Sequence, residues 1–115
     1  MIFLGIDAGG SKALFSLCDE NGRVISSLQR PGFTPASTDE DAVNELFSSG
    51  IRALLRQAGL GEELTAIRAA CGGMPCWGEV GVQDAMVQRA MARCLGPVPF
   101  QLVNDSEVAW AGSFA

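Results

Sequence analysis

Residues 6–17 read IDAGGSKALFSL. An apolar strand ends in an acid, turns on two glycines and runs apolar again. Gly-Gly is a good hairpin turn, but a plain hairpin needs neither Asp7 before the turn nor Ser11-Lys12 after it. Either these are ordinary turn polars, or the turn is shaped to hold something anionic.

Working outward, MIFLGID (1–7) is a continuous apolar run, the pattern of a strand buried on both faces. KALFSLCD (12–19) reads as the second strand and RVISSLQR (23–30) as the third, with a turn at Glu20-Asn21-Gly22. The first 30 residues are therefore expected to form an antiparallel meander. PGFTPAST (31–38) is a loop, since two prolines and a glycine oppose regular structure. Ser37-x-x-Glu40 has the spacing of a capping box, and Asp39 and Asp41 stand in the same favourable first turn. The helix that follows carries Val43, Leu46, Phe47, Ile51, Leu54, Leu55 and Ala58 on one stripe, and Gly59 and Gly61 end it.

TAIRAAC (65–71) predicts a short fourth strand, leading into a glycine-rich loop, GGMPCWGEVG (72–81). A second helix is expected over residues 83–95, with Ala85, Met86, Ala90 and Cys94 inward and Gly96-Pro97 as its stop. VPFQLV (98–103) is the fifth strand, and a third helix is expected to begin at Asn104 or Asp105. The order β-β-β-α-β-α-β-α implies an α/β domain with a mixed five-stranded sheet, later strands running parallel to the first. The sequence stops inside an amphipathic pattern with no stop signal, as expected of a piece of a longer chain.

The totals narrow the function. A length of 115 residues suits one small domain with a single core. At 48% hydrophobic residues, the chain is globular in composition. The net charge is −5 with 8 Lys and Arg, unclustered, so no nucleic-acid footprint and no basic membrane-surface helix is expected. IFLGID is too short to span a bilayer and lacks the flanks of a signal peptide. The expected setting is cytoplasmic. Cys18, Cys71, Cys76 and Cys94 are scattered, and there is no His anywhere, so neither a zinc ribbon nor a Ser-His or Cys-His nucleophile pair can be built from this chain. The cysteines are expected as reduced thiols without disulfide or metal cluster, and acid–base work falls to carboxylates, Lys or Cys.

Open α/β sheets gather ligands at the carboxyl ends of their parallel strands. Those ends carry Asp7, the Gly72-Gly73 pair and Asn104-Asp105. A carboxylate at position 7 can hold Mg²⁺, usually through water. The Gly9-Gly10 backbone can approach phosphate oxygens, and Ser11 and Lys12 can donate to them; a Gly-Gly turn with a solvated Lys explains the same residues. Asp105 is either a helix N-cap or a general base taking a proton from an alcohol that attacks a phosphate, with Asn104 orienting that substrate. Thr34 can donate to a sugar hydroxyl or serve simply as loop polarity, and Trp77 can stack on a sugar ring or simply pack. The turn is not a Walker A loop, and no G-x-G-x-x-G is present.

GIDAGGSKALFSL, CGGMPCWGE and VNDSEVAWAGSFA, in this element order, resemble the N-terminal domain of the actin-like ATPase superfamily (ribonuclease H-like fold), and within it the BadF/BadG-type ATPase and N-acetylglucosamine kinase family. The first stretch is similar to the first phosphate-binding hairpin, the second to a loop of the sugar pocket, the third to the segment holding the catalytic Asp. The resemblance implies ATP-dependent phosphorylation of an amino sugar such as N-acetylglucosamine or glucosamine. Asp105 would be the base, Asp7 the Mg²⁺-ATP ligand, Gly9, Gly10, Ser11 and Lys12 the phosphate lining, and Thr34, Gly73, Asn104 and Asp105 the sugar contacts. It also implies a C-terminal ATP-binding domain beyond residue 115, and it allows a homodimer. PGFTPAST has no Thr-Asn pair of the kind the N-acetylglucosamine kinases present in this loop. Two other classes share the fold: an ATP-driven activator of a 2-hydroxyacyl-CoA dehydratase or benzoyl-CoA reductase, which ligates an iron–sulfur cluster through cysteines, and a non-catalytic sugar-sensing regulator. The activators place a cysteine near the position of NDSEVAW, where this chain has none.

Overall fold

The computed structural model of the chain describes residues 1–61 and 64–104. The opening apolar runs form the expected meander: β1 (Ile2–Ala8), β2 (Lys12–Asp19) and β3 (Val24–Pro31). After a 3-10 turn at Pro35–Ser37 comes α1 (Glu40–Gln57); after a second at Leu64–Ala66 come β4 (Ile67–Met74), α2 (Gly81–Leu95) and β5 (Phe100–Asn104). The strands lie in the order β3-β2-β1-β4-β5. β1 pairs antiparallel with β2 and parallel with β4. β3 extends the antiparallel side and β5 the parallel side. This is the mixed five-stranded α/β sheet expected.

Both helices cover one face. Paired residues in neighbouring strands share a face, and Phe15, Ile6 and Gly72 are aligned across β2, β1 and β4. Phe15 packs under Gly50 of α1, and Gly72 lies beneath Met91 of α2. Leu4, Ile6, Ala8, Ala13, Phe15 and Leu17 point to this side and are buried with Phe47, Ile51, Leu54 and Leu55 of α1 and Val87, Ala90, Met91 and Leu95 of α2. β1 is therefore buried on one face only. Phe3 and Gly5, on the other, are half-buried, and Asp7 is exposed.

The helix ends are built from identifiable chemistry. Asp39, not Ser37, caps α1: its Oδ1 accepts the Ala42 N–H at 2.8 Å. Ser37 is taken up by the preceding 3-10 turn, where its hydroxyl donates to the Thr34 carbonyl. At the other end Gly59, at φ +78°, makes the left-handed closure of a Schellman motif. Its N–H donates to Arg56 O at 3.0 Å, and the Leu60 N–H donates to Leu55 O at 2.9 Å. Across the helix pair, Glu40 accepts from Arg89 at 2.7 Å and Arg93 at 3.1 Å. Those two hydrogen bonds, Arg89's first, hold the Glu40 carboxyl below the usual carboxylate range.

Three boundaries differ from the sequence reading. β4 runs on through Gly72, Gly73 and Met74, so the loop begins at Pro75. Gly72 answers a packing demand: a Cβ there would stand 2.7 Å from Met74 Cε and 2.9 Å from Leu102 Cδ2. The fully buried stripe of α2 is Val87, Ala90, Met91 and Leu95; Met86 and Cys94 pack partly buried against the core as expected, while Ala85 is exposed. Asn104, expected just past the fifth strand, is the last residue of β5. Asp105, and with it the expected third helix, lies outside the described residues.

Candidate functional site

The carboxyl ends of β1, β4 and β5 meet as neighbours. Asp7 is aligned with Gly73, Gly73 with Val103, and Met74 with Asn104. The expected convergence at one sheet edge thus holds for the described members. Strand alternation refines it. Asp7, Gly73 and Val103 share the face away from the helices. Met74, the register partner of Asn104, is fully buried on the helix side. The Asn104 amide donates to the Trp77 carbonyl at 3.3 Å, tying the end of β5 to the turn after β4.

That turn carries the other polar groups of this edge. Cys76 sits at φ +59°, a left-handed conformation that costs a non-glycine residue roughly 1 kcal/mol. The Gly78 N–H donates to the Asp84 carboxylate at 3.0 Å, so the first turn of α2 holds the loop from the other side. Trp77 is partly buried and packs against the core. All four cysteines are thiols. Burial pushes Cys94 up to about 12, so it is a neutral core thiol at physiological pH.

The Gly9–Lys12 turn sits beside Asp7. It is closed by the Gly9 N–H donating to Lys12 O at 2.8 Å. Ser11 and Lys12 are exposed. The two glycines are not there for backbone freedom, because neither has a positive φ. They are not there for internal space either. A Cβ on Gly9 would come no nearer than 3.5 Å to its neighbours, and one on Gly10 no nearer than 3.8 Å, both ordinary contact distances. Among the described residues nothing fills the room these two positions leave. A ligand whose anionic groups approach the backbone N–H donors would use it.

Thr34, exposed, stands over the same turn. Its Oγ1 is the atom nearest to where a Gly10 side chain would begin. The sequence offered Thr34 as a donor to a sugar hydroxyl or as loop polarity; its place beside the glycine turn depends on how β3 continues past Pro31, which no local pattern reveals. For a metal, the described residues offer one exposed carboxylate at this edge, Asp7. Among the described residues no group of three or more His, Cys, Asp or Glu side chains is assembled for an ion. That suits Mg²⁺, which keeps most of its water and is held by one or two carboxylates together with substrate phosphates. It does not suit a cage of protein ligands.

The mixed sheet, with its parallel strand ends, an acid and a glycine turn at one edge, has the α/β fold of the actin-like ATPases, and solved structures share it. The chain is similar to a protein from Chromobacterium violaceum provisionally named an N-acetylglucosamine kinase, with a TM-score of 0.66 at 16% identity over 90% of this chain and 34% of that one. It is also similar to the ethanolamine utilization protein EutJ from Carboxydothermus hydrogenoformans, with a TM-score of 0.64 at 18% identity over 96% of this chain and 39% of that one. Both share the actin-like ATPase fold. The chain spans between a third and two fifths of these structures. No family model and no curated protein matches the sequence.

Proposed function

We propose that this chain is the N-terminal domain of a cytoplasmic ATP-dependent sugar kinase, acting on an amino sugar such as N-acetylglucosamine or glucosamine together with a second, ATP-binding domain. The observation that carries the reading is the Gly9-Gly10 pair. Among the described residues nothing requires glycine at either position, and the pair lies beside Asp7 at the edge where Gly73 and Asn104 also stand.

The γ-phosphoryl group of ATP, with Mg²⁺ neutralising its charge, is what the bound nucleotide supplies. Gly9 and Gly10 bring backbone close to the phosphates, and Ser11 and Lys12 donate to them. Asp7 would hold the ion. Asp105, next after the last described residue, takes the proton from the attacking sugar hydroxyl, while Thr34, Gly73 and Asn104 border the sugar. Phosphoryl transfer passes through a loose transition state, so positioning and charge neutralisation contribute more than the base.

The fold alone does not select a kinase, since EutJ shares it. The choice is made by ADP release from the whole protein with MgATP and each amino sugar. The expected result is sugar-dependent turnover that falls about 10²-fold or more in Asp105→Asn, the usual scale for a positioned general base. Nucleotide binding without sugar-dependent turnover would favour the regulator. ATP turnover without sugar, with an iron–sulfur absorbance, would favour the dehydratase activator.

A further inference from the structure

β3 does not simply end at Pro31; the chain continues across the Gly9–Lys12 turn and is pressed onto it. Pro31 is still in register with Lys12. Two residues on, the Phe33 N–H donates to Gly9 O at 3.1 Å. Between them, Gly32 has no room for a side chain. A Cβ there would overlap Gly9 O, and it would lie 2.7 Å from Lys12 N and 3.0 Å from Gly10 C. All three are backbone atoms of the turn, which cannot swing aside as a flexible side chain would.

This strap is anchored from below. Phe33 is buried and meets Phe47 of α1 edge-on, with ring centroids 5.8 Å apart at 78°. Pro35 is buried as well. The strap cannot lift without exposing both, so a group added at Gly32 must move the turn. Gly10 and Gly32 are therefore opposites: among the described residues nothing fills the space at Gly10, while backbone fills the space at Gly32.

We infer that Gly32 is a positioning residue for phosphate binding: the Gly32–Phe33 strap sets the backbone of the Gly9–Lys12 turn. The inference rests on the proposed kinase reading for what the turn holds. Gly32 touches no substrate; it acts through the turn's carbonyl and N–H groups.

The test measures KM for MgATP and for the sugar separately, in the whole protein, with a thermal melt of each variant. Gly32→Ala is expected to raise the ATP KM about tenfold or more, since a displacement near 1 Å at a binding group costs on that scale, and to leave the sugar KM within about twofold. Gly59→Ala, a strained substitution at the far end of α1, controls for destabilisation and is expected to change neither KM. Should Gly32→Ala fail to fold, Phe33→Leu keeps the N–H but loosens the anchor against Phe47, and a rise of about threefold or more in the ATP KM is expected. An active wild type whose ATP KM is unmoved by these changes would overturn the inference alone. A wild type that neither binds nor turns over MgATP would overturn the kinase reading, and this inference with it.

Discussion

At Gly10 the fold and the proposed function make different demands on one atom. Neither its backbone angle nor its neighbours require glycine. Gly10→Ala should therefore leave stability unchanged or raise it by roughly 0.5 kcal/mol, because alanine restricts the unfolded chain. A methyl group facing the phosphates should nevertheless weaken MgATP binding by about tenfold or more, through loss of close backbone approach. Calorimetric titration beside a thermal melt separates the two effects. A variant that is as stable as wild type and binds as well would return the turn to an ordinary hairpin. Single residues were unevenly legible in the sequence. Asp7, Gly9, Gly10, Ser11 and Lys12 announced themselves by an acid and two glycines between apolar runs. The capping residue of α1 did not, because Ser37 and Asp39 are both good caps two positions apart. The outcome turned on Pro35, whose ring favours the 3-10 turn that absorbs Ser37 and leaves Asp39 to accept from Ala42.

Among the elements, α1 was readable because its apolar stripe is long and clean. Val43, Phe47, Ile51, Leu54 and Leu55 are buried as their spacing requires. α2 was harder. Its sequence offers Ala85, Met86, Val87, Ala90, Met91, Cys94 and Leu95, enough apolar residues for two overlapping stripes. Docking under β4 selects the one that places Met91 over Gly72. Gly72 misled for a related reason, since a glycine that admits a neighbour into a strand looks the same in sequence as one that breaks it. Gly50 is the counterpart within α1. A Cβ there would stand 2.6–2.9 Å from three ring carbons of Phe15, which is fully buried and cannot withdraw. Helix propensity favours Gly50→Ala by about 1 kcal/mol, but overpacking a tight core costs typically 1–3 kcal/mol. The expected net effect is destabilisation, seen as a melting temperature lower by several degrees. A higher melting temperature would mean that α1 rides further from β2 than the close Gly50–Phe15 contact implies.

For the molecule as a whole, the sheet separates two tasks. Its helix side holds the core. Its other side, at the carboxyl edge, carries Asp7, with the glycine turn next to it. The element order implied this sheet, because three antiparallel strands followed by crossover helices leave few arrangements. It did not imply that both described helices would take the same face, with Phe3 and Gly5 half-buried and Asp7 exposed on the other. The described residues are one wall of the proposed cleft, and the chain spans between a third and two fifths of each solved relative. Phosphoryl transfer needs water excluded and the phosphates clamped from both sides. The 115-residue chain by itself is therefore expected to melt cooperatively, since its core is its own, but to release ADP from MgATP and amino sugar at less than about a hundredth of the whole protein's rate. The measurement is a coupled ADP assay on both forms at equal concentration, with the melt run alongside so that an unfolded sample is not mistaken for an inactive one. Turnover by the isolated chain at the rate of the whole protein would mean that this wall is sufficient, and the two-domain cleft would have to be abandoned.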